Sequence, residues 1–128
     1  MLVVVHADLP ALTVDEVLQL VGSLSVEGGG VVLAPDRHGV GTNALALGRP
    51  LSWTFQFGMD SIASHRRQAI RRGRAFEILS RPTIALDLDT PTDLEAWRLL
   101  TTHARCPSAG PRSCQVVNPP RSLSGHQR

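Results

Sequence analysis

With 128 residues, 42% of them hydrophobic, and a mean hydropathy of zero, the chain has the size and composition of one globular domain, not of a disordered or fibrous protein. Residues 1–105 hold ten Arg and all eleven acids, whereas residues 106–128 hold three Arg and no acid, so the net charge of +2 comes from the tail and is poor support for a nucleic-acid partner. No apolar run approaches the roughly 20 residues that span a bilayer, and the N-terminus has no signal-peptide pattern. We therefore expect a cytoplasmic protein without membrane or nucleic-acid contacts.

Short apolar runs and helix signals alternate in the first half of the chain. Residues 2–5 and 31–34 are apolar runs without polar alternation, which is typical of buried strands, and residues 44–47 predict a third strand. Between the first two runs, Thr13 and Glu16 have the spacing of a capping box and predict the start of a helix. The predicted apolar face of this helix comprises Val14, Val17, Leu18 and Val21.

An aromatic segment and a second helix follow. Trp53, Phe55 and Phe57 alternate along residues 51–59, which predicts an extended segment with one aromatic face. A helix is predicted from residue 60 or 61 to about residue 72, because Gly73 then supplies a C-terminal cap.

The last ordered elements are predicted between residues 76 and 105. Residues 76–78 and 84–88 predict two more strands, and Thr90 with Asp93 three residues on predicts a helix start. Leu94, Trp97 and Leu100 form the predicted buried face of that helix. The alternation of strands and helices predicts an α/β fold with a mixed, largely parallel sheet flanked by helices.

The pattern ends after Arg105. Residues 106–128 contain four of the nine prolines with scattered Ser, Gly and Arg, and we predict a disordered tail behind a domain of residues 1–105. Cys106 and Cys114 both lie in this tail, and their spacing matches no common zinc signature. Free thiols are therefore favoured over a disulfide or a metal site.

Three carboxylates follow predicted strands. Asp8 comes after the first strand, and Asp87 and Asp89 lie at the end of residues 84–88. Ligands of α/β sheets bind beyond the carboxyl ends of strands, so we expect these carboxylates to meet at one edge. Nearby carboxylates repel one another, and a hard cation such as Mg²⁺ relieves the repulsion. The alternatives are that Asp8 is a turn residue and that Asp89 only assists the following helix start.

Two segments are candidate anion sites. Residues 39–43 (Gly-Val-Gly-Thr-Asn) can offer backbone N–H groups and the Thr42 hydroxyl to an anion, although an ordinary turn explains them equally well. They are not a Walker loop, because the Gly-Lys-Ser/Thr ending is absent. Gly58 and Ser61 precede and begin a predicted helix, where an anion or a simple cap fits. His65 lies one turn into this helix, where it either contacts the same anion or has only a structural role.

Taken together, these segments resemble the guanylyltransferases of deazaflavin coenzyme F-420 biosynthesis, which act on 2-phospho-L-lactate or phosphoenolpyruvate. The resemblance covers about residues 2–100, and its most specific string is Asp-Arg-His-Gly-Val-Gly-Thr-Asn at residues 36–43. The other matching segments are Ala-Asp-Leu-Pro at 7–10, Phe-Gly at 57–58 with Ser61 and His65, and Leu-Asp-Leu-Asp-Thr-Pro-Thr-Asp-Leu at 86–94.

The resemblance implies a nucleotidyltransferase fold of the GT-A or Rossmann-like type and a reaction between GTP and a small phosphorylated carboxylate, with release of pyrophosphate. It implies that Asp8, Asp87 and Asp89 hold one or two Mg²⁺ ions, and that Thr42, Gly58 and Ser61 hold the acceptor's phosphate and carboxylate. Asn43 and His65 complete the set of candidate substrate-binding residues.

The chain departs from the family at its N-terminus. Family members begin with further strands and a lysine-containing nucleotide loop, whereas Met1 here opens onto what resembles a middle strand, so the N-terminal part of the fold is expected to be missing. A truncated, inactive remnant that associates with another chain is therefore an alternative. So is a nucleotidyltransferase for another acceptor, such as molybdopterin. A basic cluster at residues 66–74 fits a solvated helix face, and a homo-oligomer or polyanion contact there stays open; its members are Arg66, Arg67, Arg71, Arg72 and Arg74.

Overall fold

The computed structural model describes residues 1–24, 29–49, 52–103 and 115–117. The described elements are β1 (Leu2–Val5), α1 (Val14–Gly22), β2 (Val31–Pro35), β3 (Thr42–Leu47), α2 (Ser61–Arg71), β4 (Phe76–Ile78), α3 (Pro82–Ala85), α4 (Pro91–His103) and β5 (Gln115–Val117). Strands and helices are mixed along the chain, so the predicted α/β class is confirmed. None of the helices in the described ranges is long and apolar enough to cross a membrane.

One sheet contains all five described strands, in the order β1-β3-β2-β4-β5. Only the β2–β4 pairing is parallel; β3 is antiparallel to both β1 and β2, and β5 is antiparallel to β4. The sheet is mixed as predicted, but the expectation of mostly parallel pairing is corrected. A tight turn over residues 36–41 connects β2 to β3, and two adjacent strands joined by so short a connection can pair only antiparallel.

The strand directions bring several loops to one edge. Since β1 and β2 are both antiparallel to β3, and β4 is parallel to β2, the strands β1, β2 and β4 all run the same way. Their carboxyl ends therefore lie at the same edge of the sheet, where β3 begins. The loops after β1 and β2 and the first residues of β3 meet there.

Hydrophobic layers cover both faces of the two central strands. Val32 and Ala34 of β2 pack on one face with residues from α1 and α3, and Val31 and Leu33 pack on the other with residues from α2. This alternation follows from the two-residue period of a strand, and it requires every residue of Val31–Ala34 to be apolar. Burying each large side chain of this kind stabilises the fold by roughly 1.5–3 kcal/mol.

Helix α1 differs from its prediction in the face that it buries. The capping box of Thr13 and Glu16 is confirmed, with the Glu16 amide donating to the Thr13 hydroxyl over 3.3 Å. The predicted apolar stripe is wrong at two of its four positions, because Val14 is 76% and Leu18 61% exposed, whereas Val17 and Val21 are half-buried. The fully buried residues of the helix are Glu16 and Leu20. Glu16 is tolerated in the interior because its carboxylate also accepts a hydrogen bond from the hydroxyl of Thr83, a residue of α3.

The segment before α4 is also not the predicted strand. Residues 82–85 form the single-turn helix α3, and residues 86–88 have no regular structure. Pro82 stands at the helix start, where its fixed φ favours a helical turn. Helix α4 begins at the predicted Thr90 cap, but Leu94 is 37% exposed and Asp93 is the buried residue of its first turn.

Three residues of the C-terminal segment have a described structure. Gln115–Val117 form β5, which pairs with the outer edge of β4. This pairing differs from the predicted disorder at these three residues only, and for the rest of residues 106–128 the disordered tail stays a prediction. Both cysteines and the remainder of residues 106–128 lie outside the described residues.

Candidate functional site

A cavity of about 380 Å³ opens at the sheet edge where β1 and β2 end and β3 begins. Residues from four connections, from β3 and from α2 contribute to its wall. The described residues that line it are His6, Asp8, Asp36, Val40, Gly41, Thr42, Asn43, Gly58, Met59, Ser61, Asp87 and Asp89. Of the eight site residues predicted from sequence, seven lie on this wall, and His65 does not.

The three predicted metal ligands share the cavity and are joined through their backbones. The Leu88 amide donates to the Asp8 carbonyl over 3.1 Å, which holds the Asp87–Asp89 segment against the end of β1. Asp8 and Asp89 are exposed and Asp87 is half-buried. None of the three carboxylates forms an ion pair with a described residue.

The charge on the cavity wall is one-sided. Four carboxylates, those of Asp8, Asp36, Asp87 and Asp89, line the cavity, and no Arg is among the described lining residues. Four negative side chains on one wall would repel an anionic ligand unless a cation were bound with it. Within the described ranges, no three His, Cys, Asp or Glu side chains form a ready-made metal cluster. The donor set nevertheless fits Mg²⁺, which is commonly held by one or two carboxylates together with waters and substrate phosphates.

Asp93 supports the acidic segment from behind. It is 2% exposed, and its Oδ2 accepts hydrogen bonds from the amides of Asp89 and Thr90 and from the Thr90 hydroxyl. Its Oδ1 pairs with Nη2 of Arg37 at 2.6 Å. The Thr90 hydroxyl, then the two amides and the Arg37 guanidinium, hold the pKa of Asp93 below its ordinary value against the opposing effect of burial. The spacing of Thr90 and Asp93 signals the cap, but nothing local signals Arg37.

The glycine loop is folded around Asp36. Its carboxylate accepts a hydrogen bond from the Val40 amide over 2.8 Å, and its carbonyl accepts one from the Gly39 amide over 3.1 Å. These two amides, expected as candidate anion donors, are therefore already used within the turn. Gly41 packs closely against Asp36: a Cβ at residue 41 would lie 2.9 Å from Oδ2 of Asp36, so the Asp36 side chain would have to shift.

Two buried hydroxyls stand at the back of the cavity. Thr42 opens β3 and is 2% exposed, and Ser61 opens α2 and is 1% exposed. The Ser61 hydroxyl donates to Oγ1 of Thr42 over 3.1 Å, while the Ser61 amide is used by the carbonyl of Gly58. Gly58 has φ +120°, a conformation that residues with a side chain rarely adopt, and the positive φ turns the chain into α2.

His65 lies behind these hydroxyls and is fully buried. Its Nδ1 is 3.2 Å from Oγ1 of Thr42, and its Nε2 accepts the Gln56 amide over 3.2 Å. The rings of Trp53 and Phe57 lie 6.1 and 5.3 Å from its ring centroid. This burial lowers the pKa of His65, so the neutral imidazole is favoured.

Asn43 and His6 complete the wall. The side-chain amide of Asn43 donates to the Ile84 carbonyl over 3.0 Å, so it anchors the chain that leads into residues 87–89. His6, which sequence reasoning missed, packs its ring 5.1 Å from that of Phe57. Its position between a strand end and Asp8 was the only local signal.

Comparisons with known proteins relate the chain to guanylyltransferases. The family model described as guanylyl transferase, CofC like, matches residues 1–104. The phosphoenolpyruvate guanylyltransferase of Sphaerobacter thermophilus is 47% identical over 94 residues, which are 73% of this chain and 44% of that protein. The enzyme of the same name from Conexibacter woesei is 48% identical over 75 residues, which are 59% of this chain and 34% of that protein.

A relative named for a different substrate also matches. The 3-phospho-D-glycerate guanylyltransferase of Colwellia psychrerythraea is 40% identical over 72 residues, 56% of this chain and 34% of that protein. The chain therefore spans less than half the length of each of these three curated relatives.

Proposed function

The chain belongs to the CofC-like guanylyl transferase family, and from that premise we propose that it forms the acceptor- and metal-binding half of a guanylyltransferase. The proposed substrates are GTP and phosphoenolpyruvate or 2-phospho-L-lactate, and the proposed pathway is deazaflavin coenzyme biosynthesis. In the proposed reaction, a phosphate oxygen of the acceptor attacks the α-phosphorus of GTP. The bond from the α-phosphorus to the β-phosphate oxygen breaks, and pyrophosphate leaves.

The observation that carries the proposal is that one cavity is lined both by carboxylates, which can hold a cation, and by hydroxyl groups, which can bind an anion. Asp8, Asp87 and Asp89 offer carboxylates that form no ion pair with the described part of the chain, and the hydroxyls of Thr42 and Ser61 lie at the back. A cation held by the carboxylates would attract a phosphate and lower the charge that develops at its phosphorus. The Thr42 hydroxyl, which accepts a hydrogen bond from Ser61, then meets a remaining oxygen of the acceptor. The volume of about 380 Å³ suits a three-carbon phosphorylated acid.

Other functions remain as outcomes of the test. A remnant that only associates with another chain would bind no phosphorylated acid. A nucleotidyltransferase for a different acceptor, such as molybdopterin, would bind that acceptor and not phosphoenolpyruvate. The Colwellia relative makes 3-phospho-D-glycerate the natural comparison ligand, because its phosphate and carboxylate are separated differently along the carbon chain.

The experiment is calorimetric titration of the folded chain with phosphoenolpyruvate, in Mg²⁺ and again in excess EDTA. We expect saturable binding in Mg²⁺ and at least tenfold weaker binding in EDTA or in Asp89→Asn, as loss of a metal contact commonly gives. Asp15→Asn, the same chemical change at an exposed position outside the cavity, is the matched control and should bind as the unmodified chain does. A folded chain that binds no phosphoenolpyruvate in Mg²⁺ would overturn the proposal.

A further inference from the structure

We propose that His65 is a positioning residue, which never touches the acceptor but forces the Thr42 hydroxyl to donate its proton into the cavity. This inference rests on the proposed function, because it assigns the group that the hydroxyl recognises. That group is an acceptor-only anionic oxygen, of a carboxylate or a phosphate.

The hydrogen bonds of the two ring nitrogens fix the tautomer of His65. Its Nε2 receives the Gln56 backbone amide, and a backbone N–H is always a donor. Nε2 therefore carries no proton. A neutral imidazole has one proton, so that proton is on Nδ1, and Nδ1 donates to Oγ1 of Thr42. The reverse arrangement would set two N–H groups against each other inside a buried site.

The hydrogen-bond capacity of the Thr42 hydroxyl leaves its proton available to a ligand. A hydroxyl oxygen has two lone pairs and one proton. Nδ1 of His65 and the hydroxyl of Ser61 occupy the two lone pairs. The Thr42 proton is then left to donate, and none of its contacts in the described ranges takes it. Thr42 lines the cavity, so a bound ligand is the remaining acceptor.

The surroundings of His65 keep its imidazole neutral. The imidazole is fully buried beside the rings of Trp53 and Phe57 and has no charged contact among the described residues. Protonation would place a second proton on Nε2, facing the Gln56 amide. The Thr42 proton is thus pre-oriented before a ligand arrives, and no reorganisation cost is added on binding.

The arrangement selects for charge type. An oxygen that only accepts, as in a carboxylate or phosphate, pairs with a fixed donor, whereas a hydroxyl or amide group of the same size must rotate to present a lone pair. His65 therefore sharpens the preference of the site for the anionic end of the acceptor without supplying any charge itself.

The test uses two variants of similar shape. His65→Asn keeps an N–H close to the position of Nδ1, and His65→Leu has the same branching with no donor. With phosphoenolpyruvate in Mg²⁺, we expect His65→Asn to bind within about threefold of the unmodified chain and His65→Leu to bind about tenfold more weakly, the effect of one hydrogen bond. Thr42→Val, which removes the hydroxyl at nearly constant shape, should match His65→Leu.

A second measurement does not depend on any ligand. Nitrogen-15 NMR of the unmodified chain should show His65 protonated at Nδ1 and unprotonated at Nε2. The opposite tautomer, or equal binding by His65→Leu and the unmodified chain, would overturn the inference and leave the proposed function standing. Absence of phosphoenolpyruvate binding by the folded, unmodified chain would instead overturn the proposed function, and this inference with it.

Discussion

Arg37 and Asp93 form an ion pair of 2.6 Å that joins the glycine loop to the first turn of α4. Asp93 also caps the backbone of Asp89, so a single buried carboxylate fixes the acidic segment on one side and the loop on the other. Such supporting contacts commonly decide how well metal ligands are oriented.

Replacing Asp93 by Asn should loosen the acidic segment without removing a cavity residue. We expect Mg²⁺-dependent binding of phosphoenolpyruvate to weaken about tenfold, as for other supporting residues of metal sites. Glu95→Gln, the same change at an exposed position of α4, is the control. Equal affinities for the two variants in calorimetry would show that Asp93 has no part in binding.

The same residue predicts how stability depends on pH. The pKa of Asp93 is lowered in the folded chain from an ordinary value of 3.8, mainly by the Thr90 hydroxyl. Its stabilising contribution is therefore complete above the ordinary value and is lost as the pH falls through the lowered one. The difference in unfolding free energy between the unmodified chain and Asp93→Asn should be constant near neutrality and shrink below about pH 4. Urea titrations at several pH values measure it, and a constant difference down to pH 2 would contradict the assignment.

His65 predicts a second pH effect with its own window. Burial lowers the pKa of His65 from 6.5, so the unfolded chain binds a proton more readily than the folded chain does. Stability is therefore highest above pH 6.5 and falls as the pH drops from there to the lowered pKa. His65→Asn lacks this proton uptake and should lose less stability between pH 7.5 and 5.5. Parallel pH profiles for the two chains in thermal unfolding would count against a neutral, buried His65.

Gly41→Ala tests the fold of the glycine loop. A Cβ at residue 41 would lie 2.9 Å from Oδ2 of Asp36, and moving that carboxylate breaks its bond to the Val40 amide. We expect a loss of about 1 kcal/mol in unfolding free energy, the contribution of one hydrogen bond, together with weaker phosphoenolpyruvate binding. Gly22→Ala has open space around its Cβ and should be neutral or stabilising. If both variants unfold alike, Asp36 does not constrain residue 41.

Thr13→Ala tests a contact outside the site. It removes the hydroxyl that caps α1 and leaves the buried Glu16 with one fewer donor. The expected loss is about 1 kcal/mol in unfolding free energy, with phosphoenolpyruvate affinity unchanged. Thr101→Ala, at an exposed position of α4, should cost little, since its hydroxyl bonds only to preceding helix carbonyls. An equal loss in both variants would refute a specific capping role.

Local signals predicted much of the framework correctly. The caps at Thr13 and Thr90 and the strand at residues 31–34 depend on groups within a few residues of one another, and each is present. The helix faces were predicted less well. An apolar stripe marks a buried face only when the neighbours of the helix are known, and Val14 is exposed while Glu16 finds a partner in Thr83.

The amino-acid sequence by itself determined the α/β class, the motifs at residues 7–10, 36–43 and 86–94, and seven of the residues on the cavity wall. Adjacent backbone groups and apolar runs carry that information because their interactions are short-ranged. Only the tertiary structure decided the antiparallel direction of β3, the pairing of Arg37 with Asp93, and the placement of His65 behind Thr42. These depend on groups far apart in the chain, whose distance is set by how the sheet pairs and not by their spacing in sequence.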